Sequence, residues 1–227
     1  VRESLAAIVA EWPADRPLRI LELGAGTGAT TAGLLAMVPA GRTEYIFTDV
    51  SPLFAKQAQR KFAAYPFIEY SLLDVECDPA TQGFAGRKFD VVLAANVLHA
   101  TADLRATLRH VHSLVAPGGW LMLSEVTSQP RWADLIFGLT EGWWKFTDHD
   151  LRPDYPLLNS AAWLQVLTEA DFSAPAVVRA GNAAFDQSVL LARTATNETR
   201  HWLLFADRGG VAAALAARLR EQGDVCT

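Results

Sequence analysis

The sequence predicts an α/β fold: a doubly wound, mostly parallel sheet flanked by helices. Three observations predict it. Arg19–Gly28 (R-I-L-E-L-G-A-G-T-G) runs an apolar strand into a glycine turn and straight on into a helical pattern. From Leu18 to Ser124, apolar runs of strand length alternate with helical patterns. The strand ends carry, in turn, Glu22, Asp49, Asp74, Asn96 with His99, and Glu125. Ligands of such sheets bind beyond the carboxyl ends of the strands, so this succession of polar tips marks one rim as a site.

In order along the chain, Leu5, Ile8, Val9 and Trp12 form a helical stripe that Pro13 ends. Leu18–Leu23 is the first strand, and Thr30–Val38 the first helix of the alternation, stopped by Pro39 and Gly41. Glu44–Thr48 is a strand ending at Asp49. The helix Leu53–Ala64 follows, with Ser51 before Pro52 as its expected N-cap. Pro66–Leu73 is a third strand and Asp78–Lys88 a loop. Phe89–Ala95 is nearly all apolar, as a central parallel strand requires. The helix Leu104–Val115 is expected to be closed by Pro117-Gly118-Gly119 before the strand Trp120–Ser124. Arg131–Thr147 is dense in aromatics and reads equally as helical core or as a lid over an apolar substrate. The helix Ser160–Ala170, capped by Asn159 or Ser160, precedes a closing hairpin of Ala174–Ala180 and Gln187–Ala192. Beyond a polar linker, Thr194–Arg200, a strand His201–Ala206, a helix Val211–Glu221 and a strand from Val225 begin a second β-α-β pattern.

Composition narrows the function classes. The 227 residues are 51% hydrophobic and 20% charged, which is globular rather than disordered. Twenty Lys and Arg against twenty-five Asp and Glu give a net charge of −5, without the basic block that a nucleic-acid backbone demands. The absence of any long apolar run or signal-peptide pattern predicts a cytoplasmic protein with no membrane partner. Cys77 and Cys226 are expected as two reduced thiols, and no convergent metal-ligand set is evident.

The glycine turn offers close backbone approach and free helix N–H groups to the polar end of a nucleotide-like cofactor. Gly24, Gly26 and Ala29 also satisfy the dinucleotide fingerprint, so the glycines alone leave the cofactor open. Glu22 stands two residues before Gly24, and a carboxylate aimed into the crevice would repel a pyrophosphate but suit the ammonium of S-adenosylmethionine. Asp49, 25 positions after Gly24, can hold a ribose diol, which both cofactors share. Asp74 could accept from an adenine amino group, with the Val75 N–H meeting a ring nitrogen. His99 and Glu125 lie beyond adjacent strands about 4.8 Å apart, so their side chains can meet. An imidazole held by a carboxylate is a general base of near-neutral pKa, suited to removing a proton from a bound substrate. His149-Asp150 also looks like a pair, but adjacent residues do not face each other, and a solvated loop is expected there.

With these residues in view, Leu18 to Arg193 resembles a class I methyltransferase, in particular the C-methyltransferase domain of modular polyketide synthases. The segments that carry the resemblance are L-E-L-G-A-G-T-G, Y-I-F-T-D-V-S-P-L-F, A-A-N-V-L-H-A-T, L-V-A-P-G-G and F-G-L-T-E-G-W-W-K-F-T-D. The resemblance implies a Rossmann-like seven-stranded sheet whose last strand is antiparallel. It implies S-adenosylmethionine as cofactor, leaving as S-adenosylhomocysteine, held by Glu22, Gly24, Ala25, Gly26, Asp49, Val50, Asp74, Val75 and Asn96. It implies a β-ketoacyl thioester on an acyl carrier protein as substrate, with His99 and Glu125 matching the family's catalytic pair. Residues 1–17 are then expected as a trace of an N-terminal helical subdomain, 18–193 as the methyltransferase, and 194–227 as a linker and the start of a ketoreductase region. Three readings stay open beside it: O-methylation of a β-hydroxyacyl chain, a non-catalytic scaffold domain, and a nicotinamide-dependent dehydrogenase.

Overall fold

Two strands of almost wholly buried residues, β1 (Leu18–Leu23) and β4 (Phe89–Ala95), pair in parallel at the middle of the sheet. The computed structural model describes residues 1–179, 187–196, 201–205, 209–221 and 225–227. The chain divides into two units, Val1–Ala195 and Thr196–Thr227. In the first unit β2 (Thr43–Asp49) and β3 (Ile68–Leu72) extend the sheet beyond β1, and β5 (Val115–Val126) lies beyond β4. Then β7 (Gln187–Arg193) inserts between β5 and β6 (Ser173–Arg179), antiparallel to both. The order is β3-β2-β1-β4-β5-β7-β6, so the seven strands and the antiparallel final strand are present as expected.

Alternate residues of the central strands feed two apolar layers. On one face Leu21, Leu23, Val92 and Leu121 pack against α4 (Leu104–Leu114) and α6 (Ser160–Glu169) through Leu108, Val111, Trp163 and Val166. On the other, Ile20, Tyr45, Phe47, Val91 and Leu93 meet α1 (Arg2–Glu11), α2 (Ala29–Leu34) and α3 (Pro52–Lys61) through Leu5, Leu34, Ala58 and Phe62. Each fully buried large aliphatic or aromatic side chain contributes about 1.5–3 kcal/mol. Coverage of both faces fixes the sheet, and the sheet fixes where its carboxyl rim stands. Below the opposite rim the buried Asp90 carboxylate accepts from Arg16 Nη2 at 2.7 Å and from the Arg19 backbone N–H at 2.9 Å.

Pro117-Gly118-Gly119 does not separate a helix from a later strand. Helix α4 ends at Leu114, and β5 begins at once at Val115. The register jumps from Phe89↔Val115 to Val91↔Trp120, so the glycines ride in a bulge. The residues after β7 hold that bulge: Gly118 N donates to Ala195 O at 3.0 Å and Thr194 N to Gly119 O at 3.2 Å. Ser51 occupies the N-cap position of α3 without a side-chain cap bond, whereas the Asn159 side chain does cap α6 through Ala162 N. Ala180 of the expected hairpin and residues 197–200 of the expected linker lie outside the described residues.

The second unit has a two-stranded parallel sheet of β8 (His201–Trp202) and β9 (Val225–Cys226), with α7 (Val211–Glu221) between them in sequence. Its first strand is shorter than the expected His201–Ala206, of which Ala206 lies outside the described residues. Cys77 and Cys226 are both free. Among the described residues no helix is long and apolar enough to cross a membrane.

Candidate active site

Where β1 ends, the chain turns through Gly24, Gly26 and Gly28 at φ 55°, 53° and 69°, a region that L side chains rarely enter. A Cβ on Gly26 would meet one atom within 4 Å, the Gly24 carbonyl oxygen at 3.9 Å, so this side of the turn is an open cradle. The Asp49 carboxylate, at the tip of β2, stands beside it. Asp49 Oδ2 accepts from Gly26 N at 2.9 Å and Oδ1 from Ser51 N at 2.8 Å. Each oxygen keeps a further acceptor site for a hydroxyl. Lys61 Nζ donates to the carbonyls of Thr27 and Gly28 at 2.8 and 3.2 Å and pins the far side of the turn to α3.

Glu22 does not face an open crevice, contrary to the expectation. It is 1% exposed, and its Oε2 accepts from the hydroxyls of Thr31 and Tyr45, each at 2.6 Å. The carboxylate lies beneath the turn, tying β1 to α2 and β2. Burial pushes its pKa up to about 7, against the opposing pull of the Thr31 and Tyr45 hydrogen bonds. The folded chain thus keeps a proton that the unfolded chain gives up near 4.5, and stability should fall as pH rises from there to about 7. The full contribution is about 3 kcal/mol. Glu22→Gln should flatten that part of the curve of denaturation free energy against pH; an unchanged slope would remove Glu22 as its source.

After β3, the loop that carries Asp74 and Val75 is held by residues that sequence reasoning did not single out. The Gln82 amide clamps Asp74 at both backbone groups, at 2.8 Å each, and His110 Nδ1 meets the Val75 carbonyl at 2.9 Å. Asp74 Oδ1 accepts from Glu76 N at 2.9 Å. Val50 is exposed next to Asp49, and Asn96 takes a positive φ of 55° at the end of β4 while its N–H donates to Ser124 O.

His99 and Glu125 do meet. His99 lies in a short turn, Leu98–Ala100, after β4, and Glu125 is near the end of β5. Nδ1 stands 2.6 Å from Glu125 Oε2, while Glu125 Oε1 accepts from Val97 N at 3.3 Å and Leu98 N at 3.1 Å. The Glu125 side chain is 0% exposed and that of His99 11%. An ionised carboxylate only accepts, so this network assigns the proton to Nδ1 and leaves the Nε2 lone pair free. His99 lines a cavity of about 490 Å³ with Asn96, Val126, Ala133, Phe137, Trp143, Lys145 and Leu157. Part of the wall is aromatic: Trp143 stacks on Phe137 at 5.4 Å and stands edge-on to His99 at 5.9 Å, and it also meets Tyr155, outside the lining, at 6.0 Å. The 131–147 segment is therefore both packing and cavity wall, with α5 (Arg131–Phe137) leaving Leu135 and Ile136 exposed. Lys145 pairs with Glu76, linking the cavity wall to the loop after β3.

The family model for methyltransferase domains matches residues 21–121. A crystal structure of the CurJ carbon methyltransferase superposes with a TM-score of 0.82 and 48% identity, over 86% of this chain and 53% of that one. The chain is a class I methyltransferase domain. The trans-methyltransferase CalH, solved in complex with SAH, matches at TM-score 0.74 and 40% identity, over 84% of this chain and 55% of that one. Among curated proteins, polyketide synthase ThaG of Burkholderia thailandensis is 42% identical over 197 residues, 85% of this chain. A highly reducing polyketide synthase, g433 of Fusarium sp, is 43% identical over 164 residues, 70% of this chain. The methyltransferase domain spans 4% and 6% of the lengths of these two synthases.

One consequence of the turn geometry is testable in this methyltransferase. A Cβ on Gly24 would stand 2.7 and 2.8 Å from the two γ-methyls of Val97, at a φ already costly for alanine. Gly24→Ala should destabilise the domain by about 1–3 kcal/mol, read as a drop in denaturation midpoint. Val97 also donates to Glu125, so the strain reaches the His99 turn. A variant as stable as the parent would show that the turn relaxes freely.

Proposed function

We propose that this domain transfers a methyl group from S-adenosyl-L-methionine to the α-carbon of a β-ketoacyl thioester carried by an acyl carrier protein. The observation that carries the proposal is the His99–Glu125 pair, 2.6 Å apart, in the wall of an apolar cavity. The cofactor would lie along the glycine turn, with Gly24, Ala25 and Gly26 giving close backbone approach, Asp49 on its ribose, and Asp74, Val75 and the neighbouring Val50 around its base. Asn96, which lines the cavity just past the end of β4, would meet the cofactor from that side. Glu22 supports the turn from below. When bound, the cofactor supplies an electrophilic methyl.

In this proposal His99 Nε2 takes the α-proton, and the resulting enolate spreads its charge over two carbonyls. Glu125 fixes the tautomer and stabilises the imidazolium that forms. The cavity's aromatic wall excludes water from the carbanion and takes up the acyl chain. The carbon methyltransferases of known structure support carbon as the acceptor. The polyketide synthase relatives, of which this chain spans a small part, support other synthase domains as its neighbours.

The test is intact-mass spectrometry of a carrier-bound β-ketoacyl substrate incubated with the chain and S-adenosylmethionine. A gain of one methyl, placed on the α-carbon by fragmentation, is expected. A methyl on oxygen would move the reading to O-methylation. No gain despite calorimetric binding of the cofactor would leave a scaffold domain, and no binding would defeat the proposal.

A further inference from the structure

The turn that carries His99 is gripped from its other side by a buried cation. Arg152 is 1% exposed, and its guanidinium donates to three carbonyls, one in that turn and two in the residues just after it. Nη1 reaches His99 O at 2.8 Å, and Nη2 reaches Thr101 O at 2.8 Å and Ala102 O at 3.1 Å. Nε pairs with Asp148 Oδ1 at 2.6 Å, and Asp148 Oδ2 accepts from Leu104 N, at the start of α4, at 3.0 Å. Phe146 lies under the guanidinium at 5.3 Å. Burying a cation is costly unless it is paired and its hydrogens are satisfied, and a hydrophobic side chain of similar volume would usually fill the space at less cost. The specific yield of this arrangement is a fixed main chain at His99. A lysine has one compact charge and could not span three carbonyls and a carboxylate together.

We propose that Arg152, set by Asp148, is a positioning residue for the His99 base, an inference that rests on the function proposed above. Glu125 fixes the imidazole at Nδ1, and Arg152 fixes the backbone of the same residue at its carbonyl. Two anchors on opposite sides determine where Nε2 stands in the cavity. Thr147 also ties the 146–152 segment to this stretch, its N–H donating to Ala102 O at 2.8 Å, but the bond at the His99 carbonyl itself is the one Arg152 makes. A misplacement of about 1 Å in a reacting group costs on the order of 10²-fold in rate.

The test follows exchange of the substrate α-proton in D2O, with a carrier-bound β-ketoacyl substrate, the full chain and no cofactor, so that proton removal is read apart from methyl transfer. Arg152→Lys should slow exchange on the order of 10- to 100-fold, leave the substrate KM and the calorimetric Kd for S-adenosylmethionine within about two-fold, and lower kcat in step. In Arg152→Ala, added methylguanidinium should restore part of the exchange rate. Exchange at the parental rate in Arg152→Lys, with only a lower Tm, would overturn the positioning role and leave a structural one. If both Arg152 variants fail to fold, Asp148→Asn carries the test, and parental exchange in that variant would overturn the role equally. His99→Ala is the reference: if it exchanges as fast as the parent, or if the parent itself does not exchange, the base assignment falls and the role of Arg152 falls with it.

Discussion

His99→Ala should lose about 10²- to 10⁴-fold in the rate of methyl transfer, while its affinity for S-adenosylmethionine changes by less than about two-fold. The separation is geometric. His99 lines the aromatic cavity, whereas the glycine turn and Asp49 lie at the ends of β1 and β2. The ring's hydrogen bond runs to Glu125 and to no group of the cofactor cradle. Single-turnover kinetics with calorimetry in parallel measures both quantities. Near-parental turnover would take His99 out of the mechanism, and a collapse of cofactor affinity would show that the imidazole serves the cradle instead.

Glu125→Gln should be almost as damaging, although it changes one atom. Glu125 Oε1 accepts from the N–H groups of Val97 and Leu98, so the amide oxygen of a glutamine must take that place. Its NH2 group is then turned to His99 Nδ1, which has to accept. The proton moves to Nε2, and the atom facing the substrate becomes a donor where a base is needed. A fall in kcat of about 10²-fold or more, with little change in KM and a normal melting curve, is expected. The ¹⁵N shifts of the imidazole would report the exchanged tautomer directly. An active Glu125→Gln variant with Nδ1 still protonated would show that the backbone N–H groups tolerate another partner.

Much of this was legible before any coordinates. Phe89–Ala95 reads as a central strand because both its faces are apolar, and its observed bounds are the same. The rim could be located because strand ends are marked by a change from apolar to polar residues, which is local information. The meeting of His99 with Glu125 was legible from strand adjacency together with the family resemblance, and the structure sets the two side chains 2.6 Å apart. Glu22 was misplaced because its partners are distant: Tyr45 stands on the neighbouring strand, and Thr31 comes round on the next helix. The start of β5 was misplaced, at Trp120 instead of Val115, because Pro117-Gly118-Gly119 is a stop signal in isolation, and only the chain after β7 turns it into a bulge. Arg152 and Asp148 left a faint trace, opposite charges four residues apart. The stretch is not helical, however, and the carbonyls that Arg152 serves lie about fifty residues upstream.

The late insertion of β7 also decides when the site can exist. Until residues 187–193 emerge from the ribosome, the stretch of β5 from Trp120 to Val126, which includes Glu125, is an edge with a row of unmet backbone groups. The nascent chain can pair β3, β2, β1, β4 and β5 in sequence, but it must then hold an open seam through some sixty more residues, including all of the aromatic cavity wall. The antiparallel strand is therefore the last to join the sheet, after every residue that lines the cavity has been made, and it closes the seam on a carboxylate already paired with the imidazole turn.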